Sequence, residues 1–173
     1  SDFGDNKRSE ELIVEAVNLI DPTDTRFRDA YVLTMNNYYN QIGKSGNHQN
    51  AINGYLELIN FVDTNFGENS ILKLELLNNL GFEYSALEDN KNALKYYLSS
   101  LKLAKKFNQK RNLVTSTMNA GDIYFWTGDY KKSNEYYKQA LEIIEFSSQK
   151  TQIYLYAGLS KTETILGNYD QAL

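Results

Sequence analysis

The sequence predicts an all-α fold, an array of helix pairs, and three observations carry that expectation. The stretch 77–101, LNNLGFEYSALEDNKNALKYYLSSL, returns in degenerate form: Leu80-Gly81, Tyr84, Ala93 and Tyr97 reappear as Ala120-Gly121, Tyr124, Ser133 and Tyr137. A helical stretch that recurs at a fixed period marks a repeat array. The pairs Gly46-Asn47, Glu88-Asp89, Gly128-Asp129 and Gly167-Asn168 punctuate the chain at intervals of 42, 40 and 39 residues. A single proline, Pro22, argues against linkers and against the many turns of an all-β chain.

Composition narrows the class. Of 173 residues, 42% are hydrophobic and 23% charged, which suits a folded rather than a disordered chain. A formal charge of −4 disfavours non-specific nucleic-acid binding, which needs a basic surface. The absence of cysteine excludes disulfides and thiolate chemistry. It leaves the compartment open; a cytoplasmic location is expected, with a periplasmic sensor segment as the alternative. No apolar run approaches the roughly 20 residues of a membrane span. The periodic pattern is still running at Ala172-Leu173, so the chain is expected to be a fragment of a longer protein.

The elements follow in order. Residues 1–8 are polar and expected to fray. In 9–24, Leu12, Ile13, Ala16, Val17 and Ile20 form a helical stripe that Asp21-Pro22 ends, because proline disfavours helical geometry in the residue before it. The array occupies 25–173, as three full repeats and a truncated fourth. Helices are expected at 25–43, 48–64, 69–87, 90–107, 110–127, 130–147 and 150–166, with a further start at Asn168. Each Asn or Asp of the turn pairs can cap the helix that follows. The glycine before it can take the left-handed conformation that closes the helix before. Glu88 stands in that place in the second unit, so its turn should be less relaxed. Four residues after the caps come Ala51, Ala93, Ser133 and Ala172, and four further on Tyr55, Tyr97 and Tyr137. Small residues let helices approach and the rings fill the space beside them, so these tyrosines are read as core. Phe66, Phe107 and Phe146 close the second helices, and short connections make neighbours antiparallel.

These residues resemble the tetratricopeptide repeat. Leu77, Leu80-Gly81, Tyr84, Ala93 and Tyr97 match its motif closely. The third unit departs at Ser133, the first at Tyr39 in the glycine place, and the fourth at Ser160 and Glu163. The units run 39 to 42 residues rather than the standard 34, which resembles the family's long-repeat branch. The resemblance implies a right-handed superhelix of antiparallel helix pairs whose first helices line a concave groove. Carried over by position, the groove-binding candidates are Asn36, Asn37, Asn40, Asn78, Asn79, Phe82, Asn119, Asp122, Phe125 and Trp126. Asn37, Asn79 and Asn119 recur at one place. A carboxamide can pair with both groups of a peptide backbone, or simply tie two helices together. Large aromatics such as Phe82, Phe125 and Trp126 supply contact area at low entropic cost. Some members hold a terminal carboxylate with a basic clamp; Asn36, Thr115 and Asn119 occupy its basic places here, so that docking is not expected.

Catalytic patterns are missing: His48 is the one histidine, no glycine-rich phosphate loop is present, and Glu83 and Asp122 lack acid–base spacing. No enzyme activity, cofactor or metal is expected. Seven basic residues and no acidic one lie between Asn90 and Gly121, read either as a solvated face or as a surface for an acidic partner. The function expected is a protein- or peptide-binding module, the interaction or sensory part of a larger, bacterial signalling or regulatory protein. The alternative is a ligand-sensing domain controlling an attached output domain such as a histidine kinase or transcription regulator. Self-association through the C-terminal end is a third reading.

Overall fold

The computed structural model describes residues 2–167, and the chain falls into two compact units, Ser1–Leu87 and Glu88–Leu173. Every regular element among the described residues is helical. The capping role expected of Asn168, and the place of Ala172, lie outside the described residues.

The first unit holds α1 (Asp2–Leu19), α2 (Arg28–Lys44), α3 (His48–Phe66) and α4 (Lys73–Ala86). Sequential helices pack against one another, and α2 also touches α4. Helix α1 begins at Asp2 rather than at residue 9; no proline stands before Pro22 to forbid helical backbone there. Between α1 and α2 lies an open cleft of about 290 Å³ lined by Ile13, Val14, Tyr38, Gln41, Ile42 and Ser45. Helix α2 starts three residues later than expected because the preceding segment is occupied by local turns. Asp21 accepts hydrogen bonds from the Thr23 N–H and hydroxyl, and Asp24 from the Arg26 N–H and guanidinium. Helix α4 likewise starts late. Gly67 leaves α3 at φ 85°, the Ser70 hydroxyl accepts the Leu72 N–H, and Lys73 reaches back to Asp63 at 2.5 Å.

The core of this unit includes Val32, Ala51, Ile52, Tyr55, Leu58, Val62 and Leu80. Tyr39, the departure from the glycine place, is answered from across the helix pair. A Cβ on Gly54 would stand 2.0 Å from Tyr39 Cε1, inside the ring's own space. The Tyr39 ring meets Tyr55 edge-on, with centroids 5.6 Å apart, and burial pushes its phenol up to about 12.

The second unit holds α5 (Asn90–Lys106), α6 (Lys110–Trp126), α7 (Tyr130–Leu141), a 3-10 turn (Ile144–Phe146) and α8 (Gln149–Ile165). Asp89 and Asp129 cap α5 and α7, accepting the Asn92 and Lys132 N–H groups at 3.1 and 3.2 Å. The turn before α7 closes by the expected device: Gly128 sits at φ 82°, and Asp129 N–H reaches Tyr124 O at 2.9 Å. Glu88, at φ 60°, holds the same left-handed conformation without glycine's freedom. Helix α7 stops at Leu141, short of the expected 147. The β-branched pair Ile143-Ile144 disfavours helix, and Ser147 returns its hydroxyl to Ile144 O at 2.6 Å.

Ala93, Tyr97, Ser133 and Tyr137 are buried, as the small-residue and tyrosine pattern predicted, and Ala104, Val114, Ala120, Ala140 and Leu155 complete the core around them. In this pair the small residue is on the first helix: a Cβ on Gly121 would meet the Tyr137 ring at 2.9 Å. Glu163, in a tyrosine place of the motif, is buried between α7 and α8. It takes a hydrogen bond from Asn134 at 2.8 Å and pairs with Lys138 at 2.7 Å. A buried carboxylate is tolerated only with such partners.

Candidate functional site

Each unit presents its own set of the residues singled out by sequence. In the first unit they lie on α2 and α4. Asn36 is buried, and its side-chain oxygen accepts the Asn79 amide at 2.9 Å. The Tyr55 hydroxyl donates to the Asn36 backbone oxygen at 3.3 Å and also engages the Asn79 side chain. Burial holds the Tyr55 phenol well above its usual range, so it stays a donor. Asn36 and Asn79 therefore tie α2 to α4, the structural use of a carboxamide. Asn37, one residue on, points into solvent, while Asn40 and Asn78 are half-buried. Phe82 is 57% exposed.

Sequence reasoning missed the polar centre of this unit. His48 Nδ1 lies 2.7 Å from Glu83 Oε2, and the Glu83 carboxylate fills the space over Gly43, where a Cβ would meet Oε1 at 2.2 Å. Helices α2, α3 and α4 thus meet at one buried carboxylate. The partners are 35 residues apart, and no periodicity links them. The size demanded at Gly43 was the one available signal.

In the second unit the candidates lie on α6, with α8 beside it. Asn119 is half-buried and engaged, and Asp122 accepts the Tyr137 hydroxyl at 2.5 Å. Burial raises the Asp122 carboxyl above its ordinary range, against the pull of the Tyr137 hydroxyl and the charge of Lys161. The Phe125 ring stands edge-on to both Trp126 and Tyr130, at 5.5 and 5.4 Å. It is thereby fixed, whereas Trp126 is 72% exposed. Tyr154 on α8 is also open to solvent, at 59%. The arrangement offers rings, amides and the Asp122 carboxyl beside Lys161 as contact groups.

Paired helices punctuated by capped turns define a helical-repeat protein. The sequence profile of the tetratricopeptide repeat matches residues 74–107 and 115–146, so the chain carries tetratricopeptide repeats over those two stretches. No curated protein matches it in sequence. Among solved structures it is similar to BtubC (BKLC) from P. vanneervenii, with a TM-score of 0.79 at 18% identity over 99% of this chain and 70% of that one. It is also similar to the apo form of RapI, with a TM-score of 0.72 at 18% identity over 83% of this chain and 40% of that one. A tetratricopeptide repeat protein from Parabacteroides merdae shares the fold at a TM-score of 0.67 and 19% identity, over 99% of this chain and 57% of that one. The chain thus spans about half the length or less of the last two. No helix among the described residues is long and apolar enough to cross a membrane.

Proposed function

We propose that the chain is a protein- or peptide-binding module, the interaction part of a larger signalling or regulatory protein. The observation that carries this reading is Trp126. It is the sole tryptophan, it is 72% exposed at the end of α6, and its neighbour Phe125 is braced by two rings. An exposed indole beside a fixed ring is a typical anchor for a partner side chain. Phe82, 57% exposed on α4, offers the same in the first unit, with Asn37 and Asn40 on α2 as amide partners for a peptide backbone.

The test uses Trp126 as its own reporter. Peptides selected on the intact chain by display should shift or quench tryptophan emission. Trp126→Phe or Phe82→Ala should weaken them by about tenfold or more. Peptides that leave the emission unchanged and bind both variants as tightly as wild type would overturn the assignment. A change in radius of gyration on binding would make the module the sensing element for an attached output domain. Capture without any change of shape would make it an adaptor.

A further inference from the structure

Helix α5 carries five lysines and no acidic residue. At about 100° per residue, Lys91, Lys95, Lys102, Lys105 and Lys106 fall within about 100° of arc, in a stripe about 22 Å long. All five are exposed, and Lys110 and Arg111 continue the run into α6. Among the described residues none of the seven takes part in an ion pair. The ammonium groups of Lys95 and Lys106 rest over the rings of Tyr96 and Phe107, at 4.9 and 5.7 Å.

The fold does not call for this charge. Lys105 and Lys106 suit the negative end of the helix, but Lys91 stands in the first turn, at the positive end. Lys91 with Lys95, and Lys102 with Lys106, are like charges four residues apart and repel. The sister helices show what the architecture needs at these places. Forty residues on, Lys131, Glu135 and Glu142 hold the places of Lys91, Lys95 and Lys102; forty-two residues earlier, Gln49, Asn53 and Asn60 do. Helix α5 alone is uniformly basic there, in a chain of net charge −4.

We propose that this face of α5 docks an acidic, extended peptide segment of a partner protein. At about 3.3 Å per residue, about seven residues span the stripe. A nucleic acid suits it less well. Beyond the seven basic residues, the remaining 11 stand against 22 acidic ones, a field that repels a polyanion running past the stripe. None of the aromatic and amide residues of the sites above belongs to this face of α5.

The probe is a fluorescein-labelled peptide of seven glutamates, followed by anisotropy at low salt on the intact chain. The stripe variant is K91E/K95E/K102E, which at 95 and 102 borrows the glutamates found in the sister places. The control, K44E/K131E/K150E, has the same net charge elsewhere. The stripe variant is expected to bind about tenfold or more weakly, and the control within about twofold of wild type. Circular dichroism checks both folds, and K91Q/K95Q/K102Q replaces the stripe variant should it fail to fold. No binding by wild type, or equal losses in stripe and control variants, would overturn the proposal. So would tighter binding of a seven-nucleotide oligothymidylate or of phosphatidylserine vesicles.

Discussion

Gly54 and Tyr39 show how one residue's absence makes room for another. In the second and third repeats the glycine place belongs to the first helix, at Gly81 and Gly121, and tyrosines stand at 96 and 136 on the second. In the first repeat the sizes are exchanged: Tyr39 is on the first helix and Gly54 on the second. Gly54→Ala should therefore cost about 1–3 kcal/mol in urea unfolding, since the added methyl enters a packed ring. In a Tyr39→Ala background the same change should turn neutral or stabilising, because alanine outranks glycine in a helix by about 1 kcal/mol. An equal cost in both backgrounds would show that the two residues do not share the space. The swap was half legible: Tyr39 was visible as an exception to the motif, but its answer at Gly54 required the helix pair to be folded up. Asn36 and Asn37 make the same point. Both stood among the candidates, and only the packing of α4 shows that Asn36 is turned inward to Asn79 while Asn37 faces water.

At the scale of elements, the turns carry the pH response. The Asp89 carboxyl is held below its ordinary 3.8 by the Asn92 side-chain amide and then the Asn92 N–H. Asp129 is held below the same value by the Lys132 side chain and then its N–H. A carboxyl with a lowered folded pKa stabilises the fold above 3.8 and loses that contribution as pH falls through the folded value. Melting temperature should thus drop as pH falls below the ordinary 3.8, and more shallowly in Asp89→Asn/Asp129→Asn, which keeps an oxygen acceptor at each cap. Parallel profiles would remove the caps from the account. Apart from the start of α1 and the end of α7, helix positions were readable to within about four residues because period and cap chemistry are local. Where the structure departs, a side chain has found another partner. Asn47 caps nothing, since its amide donates to Ser45 Oγ at 3.2 Å instead of its oxygen receiving a backbone N–H. The His48–Glu83 pair was illegible for the opposite reason: its spacing belongs to no helical period.

For the whole molecule, repeat architecture makes stability a matter of near neighbours. Helix α1 packs against α2 across an open cleft, and Leu12, Val14 and Leu19 on it remain exposed at 48%, 45% and 85%. Removing residues 1–20 should lower the helical signal by one helix and leave a cooperative melt of the remainder. Loss of the cooperative transition would make α1 part of the core rather than an addition to it. The aromatic and lysine-bearing surfaces are both remote from α1 in sequence, so their binding should survive the truncation.

The exchanged sizes of Tyr39 and Gly54 also bear on how such a chain can be inherited. A genetic crossover in the loop between α2 and α3 would join Tyr39 to a second helix bearing tyrosine in the place of Gly54, and two rings would claim one space. A crossover in the connection after Phe66 keeps each compensated pair together. The piece of this gene that can be copied or shuffled with that compensation intact is the complete helix pair, bounded where one repeat hands over to the next.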